Sequence, residues 1–87
     1  MDFPILYVKE GCPWCEEALG YFKLKNLELN VVDVRSDTVR MNELVSISGQ
    51  SKTPTLVNGS FVVADFDLTE FEEAMEKNPE EKKNLGL

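Results

Sequence analysis

The sequence predicts an α/β protein built on a mixed four-stranded sheet with helices on both faces. Three observations lead to this fold class. The chain has 87 residues, and we expect residues 1–87 to form a single domain. Its apolar residues alternate between short β-type runs and segments with helical spacing. An Asn-Gly pair, the strongest local hairpin signal, joins the last two β-type runs. The predicted element order is therefore β-α-β-α-β-β-α.

The first half of the chain predicts a β-α-β unit. Residues 3–8 form a continuous apolar run that suits a strand buried on both faces. Helical spacing begins after Cys12, where Pro13 fits the first helical position, and continues to about Asn26. Residues 27–34 then alternate apolar and polar side chains and predict the second strand.

A second helix and a hairpin come next. Ser36 or Asp37 is expected to cap the helix, which ends at about Ser48 before Gly49. The Asn58-Gly59 pair should then connect two antiparallel strands. These two strands are predicted over residues 55–57 and 60–64.

The last predicted element is a helix that opens at Asp67 with Glu70 three residues later, a capping-box pattern. Pro79 should end it, and the charged residues 78–87 are expected to form a frayed tail. A right-handed β-α-β crossover followed by an antiparallel hairpin is the arrangement of the thioredoxin-like fold.

Composition excludes several classes of function. The net charge of −7 disfavours nucleic-acid or membrane-surface binding, since both partners are anionic. The absence of histidine removes Ser-His and Cys-His hydrolase sites and zinc sites that need imidazole. No apolar run approaches the ~20 residues that cross a bilayer. The chain starts with Met1-Asp2 rather than the basic residues of a secretory signal, so we expect a cytoplasmic protein. We also expect it to be a monomer.

The segment Cys12-Pro13-Trp14-Cys15 carries the strongest chemical signal, because it lies where a strand gives way to a helix. The Cys12 sulfur should face unpaired N–H groups and the positive end of the helix dipole, which stabilise a thiolate. Cys15, one turn further on, should be less exposed. We therefore expect Cys12 to be the nucleophile and Cys15 the resolving thiol.

A zinc site is the structural alternative for these cysteines. Tetrahedral zinc needs four ligands, and the chain has two cysteines and no histidine. A zinc site would thus require a symmetric dimer that shares one metal, and we predict no metal or other bound cofactor.

Thr53-Pro54 is the second candidate element. A turn precedes Pro54 and a β-type run follows it, which fits a cis bond that turns the chain into the third strand. In that geometry the backbone N–H and C=O of Thr53 would be free to pair with an extended substrate next to Cys12. An ordinary trans proline at the start of a strand is the alternative.

The sequence resembles the glutaredoxin family over residues 4–77. The resemblance lies in Tyr7-Val8-Lys9-x-Gly-Cys12-Pro13-Trp14-Cys15, Gly49-x-x-x-Thr53-Pro54, Asn58-Gly59 and Asp65-x-Asp67-Leu68.

This resemblance implies thiol-disulfide exchange with glutathione as the reductant. It also implies that Lys9 meets a carboxylate of glutathione, that Trp14 lines the binding groove, and that Thr53 pairs with the tripeptide backbone. Glutaredoxins usually have Gly-Gly-(Cys/Ser)-Asp before the last helix, whereas this chain has Val63-Ala64-Asp65-Phe66. The family's aspartate thus falls on a phenylalanine, and only Asp65 or Asp67 could replace it.

Three functions follow as hypotheses. The first is a glutaredoxin-like oxidoreductase that reduces protein disulfides or glutathionyl mixed disulfides and is itself reduced by glutathione or a dedicated reductase. The second is an iron–sulfur carrier in which Cys12 from two chains and two added thiols hold one [2Fe–2S] cluster. The third, a non-catalytic interaction module that uses the same groove, leaves both cysteines without a role.

Overall fold

A computed structural model describes residues 3–87 of the chain. Met1 and Asp2, on which the expectation of no secretory signal rests, lie outside the described residues. The elements, in chain order, are β1 (Ile5–Val8), α1 (Pro13–Leu24), β2 (Asn30–Asp33), α2 (Thr38–Ser48), β3 (Thr55–Asn58), β4 (Phe61–Val63), α3 (Leu68–Lys77) and α4 (Pro79–Leu85).

The sheet confirms the predicted fold class. Its strand order is β2-β1-β3-β4, with β1 parallel to β2 and antiparallel to β3, and with β3 antiparallel to β4. This is the mixed sheet of the thioredoxin-like fold. Within residues 3–87, no helix combines the length and the apolar character that crossing a bilayer requires.

Two apolar clusters lie on opposite faces of the sheet, because side chains alternate along β1. Leu6 and Val8 face a larger cluster, to which α1, α3 and α4 contribute Phe22, Phe71 and Leu85. The rings of Phe22 and Phe71 meet edge to face, with centroids 5.1 Å apart. The smaller cluster is formed by Tyr7, Val34, Leu44 and Val57.

Short-range signals place the helix ends as predicted. Asp37, rather than Ser36, caps α2 by accepting from the Arg40 N–H, and Gly49 ends that helix with a left-handed φ of 74°. Asp67 and Glu70 form the predicted capping box at the start of α3.

The second strand is shorter than the predicted residues 27–34. It begins at Asn30 because β1, its partner, begins at Ile5, the residue that pairs with Asn30. Leu27 and Leu29 instead pack against the larger cluster as part of the connection from α1.

The hairpin is present, but its turn lies one residue later than predicted. Asn58 still pairs with Phe61, so Gly59 and Ser60 form the two-residue loop. Gly59 has a φ of 62° at the first central position, where a type II′ turn requires glycine.

The end of the chain corrects the expectation of a frayed tail over residues 78–87. Helix α3 ends at Lys77 with Asn78 as its C-cap, before Pro79 as predicted, but Pro79 then starts α4 at a position where its missing N–H costs nothing. Leu85 is only 6% exposed and packs in the larger cluster. Leu87 also packs against this cluster, so two apolar side chains anchor a segment that is otherwise highly charged.

Candidate functional site

Cys12 caps the N-terminus of α1, at the point where the chain turns away from β1. The turn depends on Gly11, whose φ of 82° lies in the left-handed region, and it is closed by the Cys12 N–H donating to Lys9 O at 3.2 Å. Cys12 itself is extended, with φ −85° and ψ 112°, as an N-cap residue should be. Its partly exposed sulfur therefore lies at the positive end of the helix.

The cap is made by the Cys12 sulfur itself. The backbone N–H of Cys15 donates to Cys12 Sγ, with a nitrogen–sulfur distance of 3.2 Å. The Cys12 sulfur thus replaces an oxygen acceptor at the N-cap and satisfies one of the unpaired N–H groups in the first turn of α1. The structure thus places the predicted nucleophile at the N-terminus of α1.

Cys15 has a different environment. Its side chain is 1% exposed and packs in the larger apolar cluster. Burial raises the pKa of the Cys15 thiol, and its hydrogen bond with Cys12 acts in the same direction, although contacts with Thr53 and Lys9 oppose them. Both cysteines are free thiols. The pair therefore consists of one partly exposed sulfur and one buried sulfur whose pKa is raised.

The loop that carries Thr53 lies directly opposite Cys12. The Thr53–Pro54 bond is cis, as predicted. The carbonyl oxygen and the Oγ1 of Thr53 are each 3.9 Å from Cys12 Sγ. Among the described residues, no backbone group bonds to the N–H or the C=O of Thr53, and the carbonyl oxygen has only the long contact from Cys12 Sγ.

A groove with a volume of about 400 Å³ opens beside Cys12. It brings together every residue predicted for the site except Cys15 and Pro54, which are buried beneath it. Trp14, 57% exposed, forms one wall of this groove. The lining residues are Lys9, Cys12, Pro13, Trp14, Lys52, Thr53 and Asp65.

Lys52 was not predicted as a site residue. Its position next to Thr53 was the available signal, but a lysine in a polar turn is ordinarily a solvated side chain. Its presence gives the groove a second lysine beside Lys9, although the chain as a whole carries a net charge of −7.

In the segment before α3, two adjacent residues, Asp65 and Phe66, have different surroundings. Asp65, with a φ of 50°, lies in the groove, whereas Phe66 is 2% exposed and packs in the larger cluster. Asp67 caps α3 and lines a neighbouring depression rather than the groove itself. Of the two acids considered as replacements for the family's aspartate, only Asp65 lines the groove that also contains Cys12.

No three His, Cys, Asp or Glu side chains within residues 3–87 are grouped so that they could hold a metal ion.

Comparisons with known proteins match this arrangement. A family model described as Glutaredoxin matches residues 5–62. An uncharacterised glutaredoxin-like 8.6 kDa protein in the rubredoxin operon of Clostridium pasteurianum is 31% identical over 72 residues, which cover 83% of this chain and 96% of that protein.

Solved structures give the same result. The solution structure of glutaredoxin from Brucella melitensis has a TM-score of 0.69 and 26% identity, covering 99% of this chain and 90% of that one. Glutaredoxin from Archaeoglobus fulgidus has a TM-score of 0.72, covering 84% and 85% of the two chains, and at 22% identity it supports the fold alone. The matched residues 5–62 include both cysteines and the Thr53–Pro54 loop. The fold and the pair of cysteines support a thiol redox function. On the family model and the relative from Clostridium pasteurianum, the chain belongs to the glutaredoxin family.

Proposed function

We propose that this protein is a thiol-disulfide oxidoreductase that reduces protein disulfides or glutathionyl mixed disulfides, with Cys12 as the nucleophile and Cys15 as the resolving thiol. The observation that carries the proposal is the inequality of the two sulfurs. Cys12 Sγ is accessible and accepts a hydrogen bond at the start of α1, whereas Cys15 is 1% exposed and its pKa is raised by burial.

Reduction of a disulfide then takes two exchange steps. The Cys12 thiolate attacks one substrate sulfur, forms a mixed disulfide, and displaces the other substrate sulfur as a thiolate, which takes up a proton. Cys15 next loses its proton to solvent and attacks Cys12 Sγ. The Cys12–Cys15 disulfide forms, the second substrate thiolate leaves, and two electrons have passed from the protein to the substrate.

A glutathionyl mixed disulfide can be reduced without Cys15. The Cys12 thiolate attacks the glutathione sulfur and releases the protein thiol. A second glutathione then attacks the sulfur of the Cys12-bound glutathione and yields oxidised glutathione and free Cys12.

The backbone of Thr53 supports binding of an extended substrate. Its N–H and C=O have no backbone partner among the described residues and lie on the loop opposite Cys12, where an extended chain can add two hydrogen bonds of β type. Such pairing does not depend on substrate side chains, so it suits both a protein segment and the glutathione tripeptide.

The charges of the groove are compatible with glutathione. Lys9 and Lys52 can each meet one of its two carboxylates, and Asp65 can meet its ammonium group. Val63, which stands where most family members have glycine, is partly buried against the larger cluster. We therefore propose glutathione as the electron donor, with a dedicated reductase as the alternative donor, and a monomer as the working form.

Two serine variants test the assignment. Cys12→Ser should abolish reduction of both a peptide disulfide and a glutathionylated peptide. Cys15→Ser should abolish repeated reduction of the peptide disulfide but leave reduction of the glutathionylated peptide within about threefold of wild type. Equal losses on both substrates in both variants would contradict the proposed roles.

The electron donor needs a separate assay. Oxidised protein is mixed either with glutathione or with NADPH and a thioredoxin reductase, and reformation of free thiols is followed. Rapid reduction by glutathione alone supports the proposed donor, whereas reduction only by the enzyme would replace it with the dedicated reductase.

A further inference from the structure

Hydrogen bonds join the loop that carries Thr53 to the turn that carries Asp65, and the hydroxyl of Thr55 lies at their centre. Thr55 is completely buried. Its Oγ1 donates to the carbonyl oxygen of Lys52 at 2.9 Å and accepts from Asp65 N at 3.4 Å. One hydroxyl therefore links two walls of the groove that are otherwise far apart in sequence.

The side chain of Gln50 completes this network. Its Nε2 donates to Ser48 Oγ at 2.7 Å and to Thr55 Oγ1 at 3.2 Å, and its Oε1 accepts from the backbone N–H of Lys52 at 2.7 Å. A backbone N–H can only donate, so the bond to Lys52 fixes which end of the amide faces it. The N–H and the C=O of Lys52 are thus both held by side chains.

These bonds control the direction of the group proposed to bind substrate. The C=O of Lys52 and the N–H of Thr53 belong to one planar peptide group, so the bond from Thr55 Oγ1 to that carbonyl orients the Thr53 N–H as well. The bond to Asp65 N holds the opposite wall at the same time. Neither Thr55 nor Gln50 lines the groove, so both act only through their neighbours.

We propose that Thr55 and Gln50 are positioning residues that hold the Thr53 backbone and Asp65 in register with Cys12, and thereby set the affinity for disulfide substrates. The inference rests on the proposed thiol-disulfide exchange. It separates substrate positioning, which depends on this network, from the reactivity of Cys12, which depends on the cap of α1.

The test uses variants that change one hydroxyl. Thr55→Val keeps the size and branching of the side chain and removes the hydroxyl, and Thr55→Ser keeps the hydroxyl. Tyr7→Phe is the matched control, because the Tyr7 hydroxyl is also buried and donates to Glu43 Oε1 at 2.7 Å, but in the smaller cluster on the other face of the sheet.

Three quantities are measured for each reduced protein. Single-turnover reduction of a synthetic peptide disulfide, held in excess, gives a limiting rate and a half-saturating concentration without any added reductant. The rate of Cys12 alkylation by iodoacetamide reports the intrinsic reactivity of the sulfur. Thermal unfolding reports stability.

We expect Thr55→Val to raise the half-saturating concentration about five- to tenfold, because it leaves the Lys52 carbonyl and the Gln50 amide without their shared partner. Its limiting rate and its Cys12 alkylation rate should stay within about twofold of wild type. Thr55→Ser should restore substrate affinity, and Tyr7→Phe should lose stability without losing affinity. Gln50→Leu, at a partly exposed loop position, should raise the half-saturating concentration in the same way and serves if Thr55→Val does not fold.

Unchanged substrate affinity in both Thr55→Val and Gln50→Leu would overturn the proposal. An equal loss of affinity in Tyr7→Phe would also overturn it, since the effect would then follow stability rather than position. If wild-type protein reduces no disulfide at all, the proposed function fails and this inference fails with it. If wild type is active and the variants match it, only the inference fails.

Discussion

Replacement of Leu85 by alanine tests whether α4 is an integral part of the fold. The side chain is 6% exposed and packs in the larger cluster with Phe71 and Met75. Leu85→Ala removes about three buried carbon groups, worth ~0.8 kcal/mol each, or about 2.4 kcal/mol, and the cavity left behind adds to that loss. We therefore expect the free energy of unfolding to fall by about 3 kcal/mol.

Leu24 provides a matched control, because it is 84% exposed at the end of α1. Leu24→Ala should change the free energy of unfolding by less than about 0.5 kcal/mol. Urea denaturation followed by circular dichroism measures both variants, and thermal melts should show a fall in Tm of about 12–24 °C for Leu85→Ala. Equal stability of the two variants would refute the packing of α4.

Two further predictions concern a buried tyrosine and a lysine of the groove. Burial and the hydrogen bond to Glu43 raise the pKa of Tyr7 from 10.0 to about 12, so its contribution to stability is complete below pH 10 and is lost as the pH rises toward 12. Across that pH window the free energy of unfolding of wild type should fall by about 2–3 kcal/mol more than that of Tyr7→Phe, as measured by denaturation at each pH. An equal fall in the two proteins would contradict the raised pKa of Tyr7. Lys52→Gln should raise the KM for a glutathionylated peptide by about two- to fivefold at low salt, because an exposed charge pair contributes ~0.2–1 kcal/mol. The increase should be smaller at high salt, since salt screens the charges. The KM for an uncharged small disulfide should stay unchanged. A KM that rises equally for both substrates would show that Lys52 does not act through charge.

Features that depend on neighbouring residues could be predicted from the sequence. The cap at Cys12, the box formed by Asp67 and Glu70, and the end of α2 at Gly49 each need only three or four consecutive residues, and the structure has all of them. The turn-to-strand context of Pro54 fits a trans proline as well, and only the presence of the Cys12-Cys15 motif favours the cis bond that the structure has.

Features that depend on distant contacts could not be predicted. The C-terminal segment is held by two leucines, the buried Leu85 and the partly buried Leu87, that reach a cluster formed mostly by other elements. Thr55 has the pattern of an ordinary strand residue, and its hydroxyl acquires a role only because the fold brings Lys52 and Asp65 to it. The hairpin turn was placed one residue early because pairing of Asn58 with Phe61 depends on register rather than on turn propensity.

The central claim is that the two cysteines are chemically unequal before any substrate binds. Reduced protein treated at pH 7 with less than one equivalent of iodoacetamide, followed by peptide mass spectrometry, measures this directly. The account predicts that Cys12, partly exposed at the start of α1, is alkylated at least about tenfold faster than Cys15, which is 1% exposed and whose pKa is raised by burial. Alkylation of Cys15 in the folded protein should become appreciable only as the pH rises above the usual range of a cysteine. Equal alkylation of the two residues at pH 7, or faster alkylation of Cys15, would contradict the assignment of nucleophile and resolving thiol.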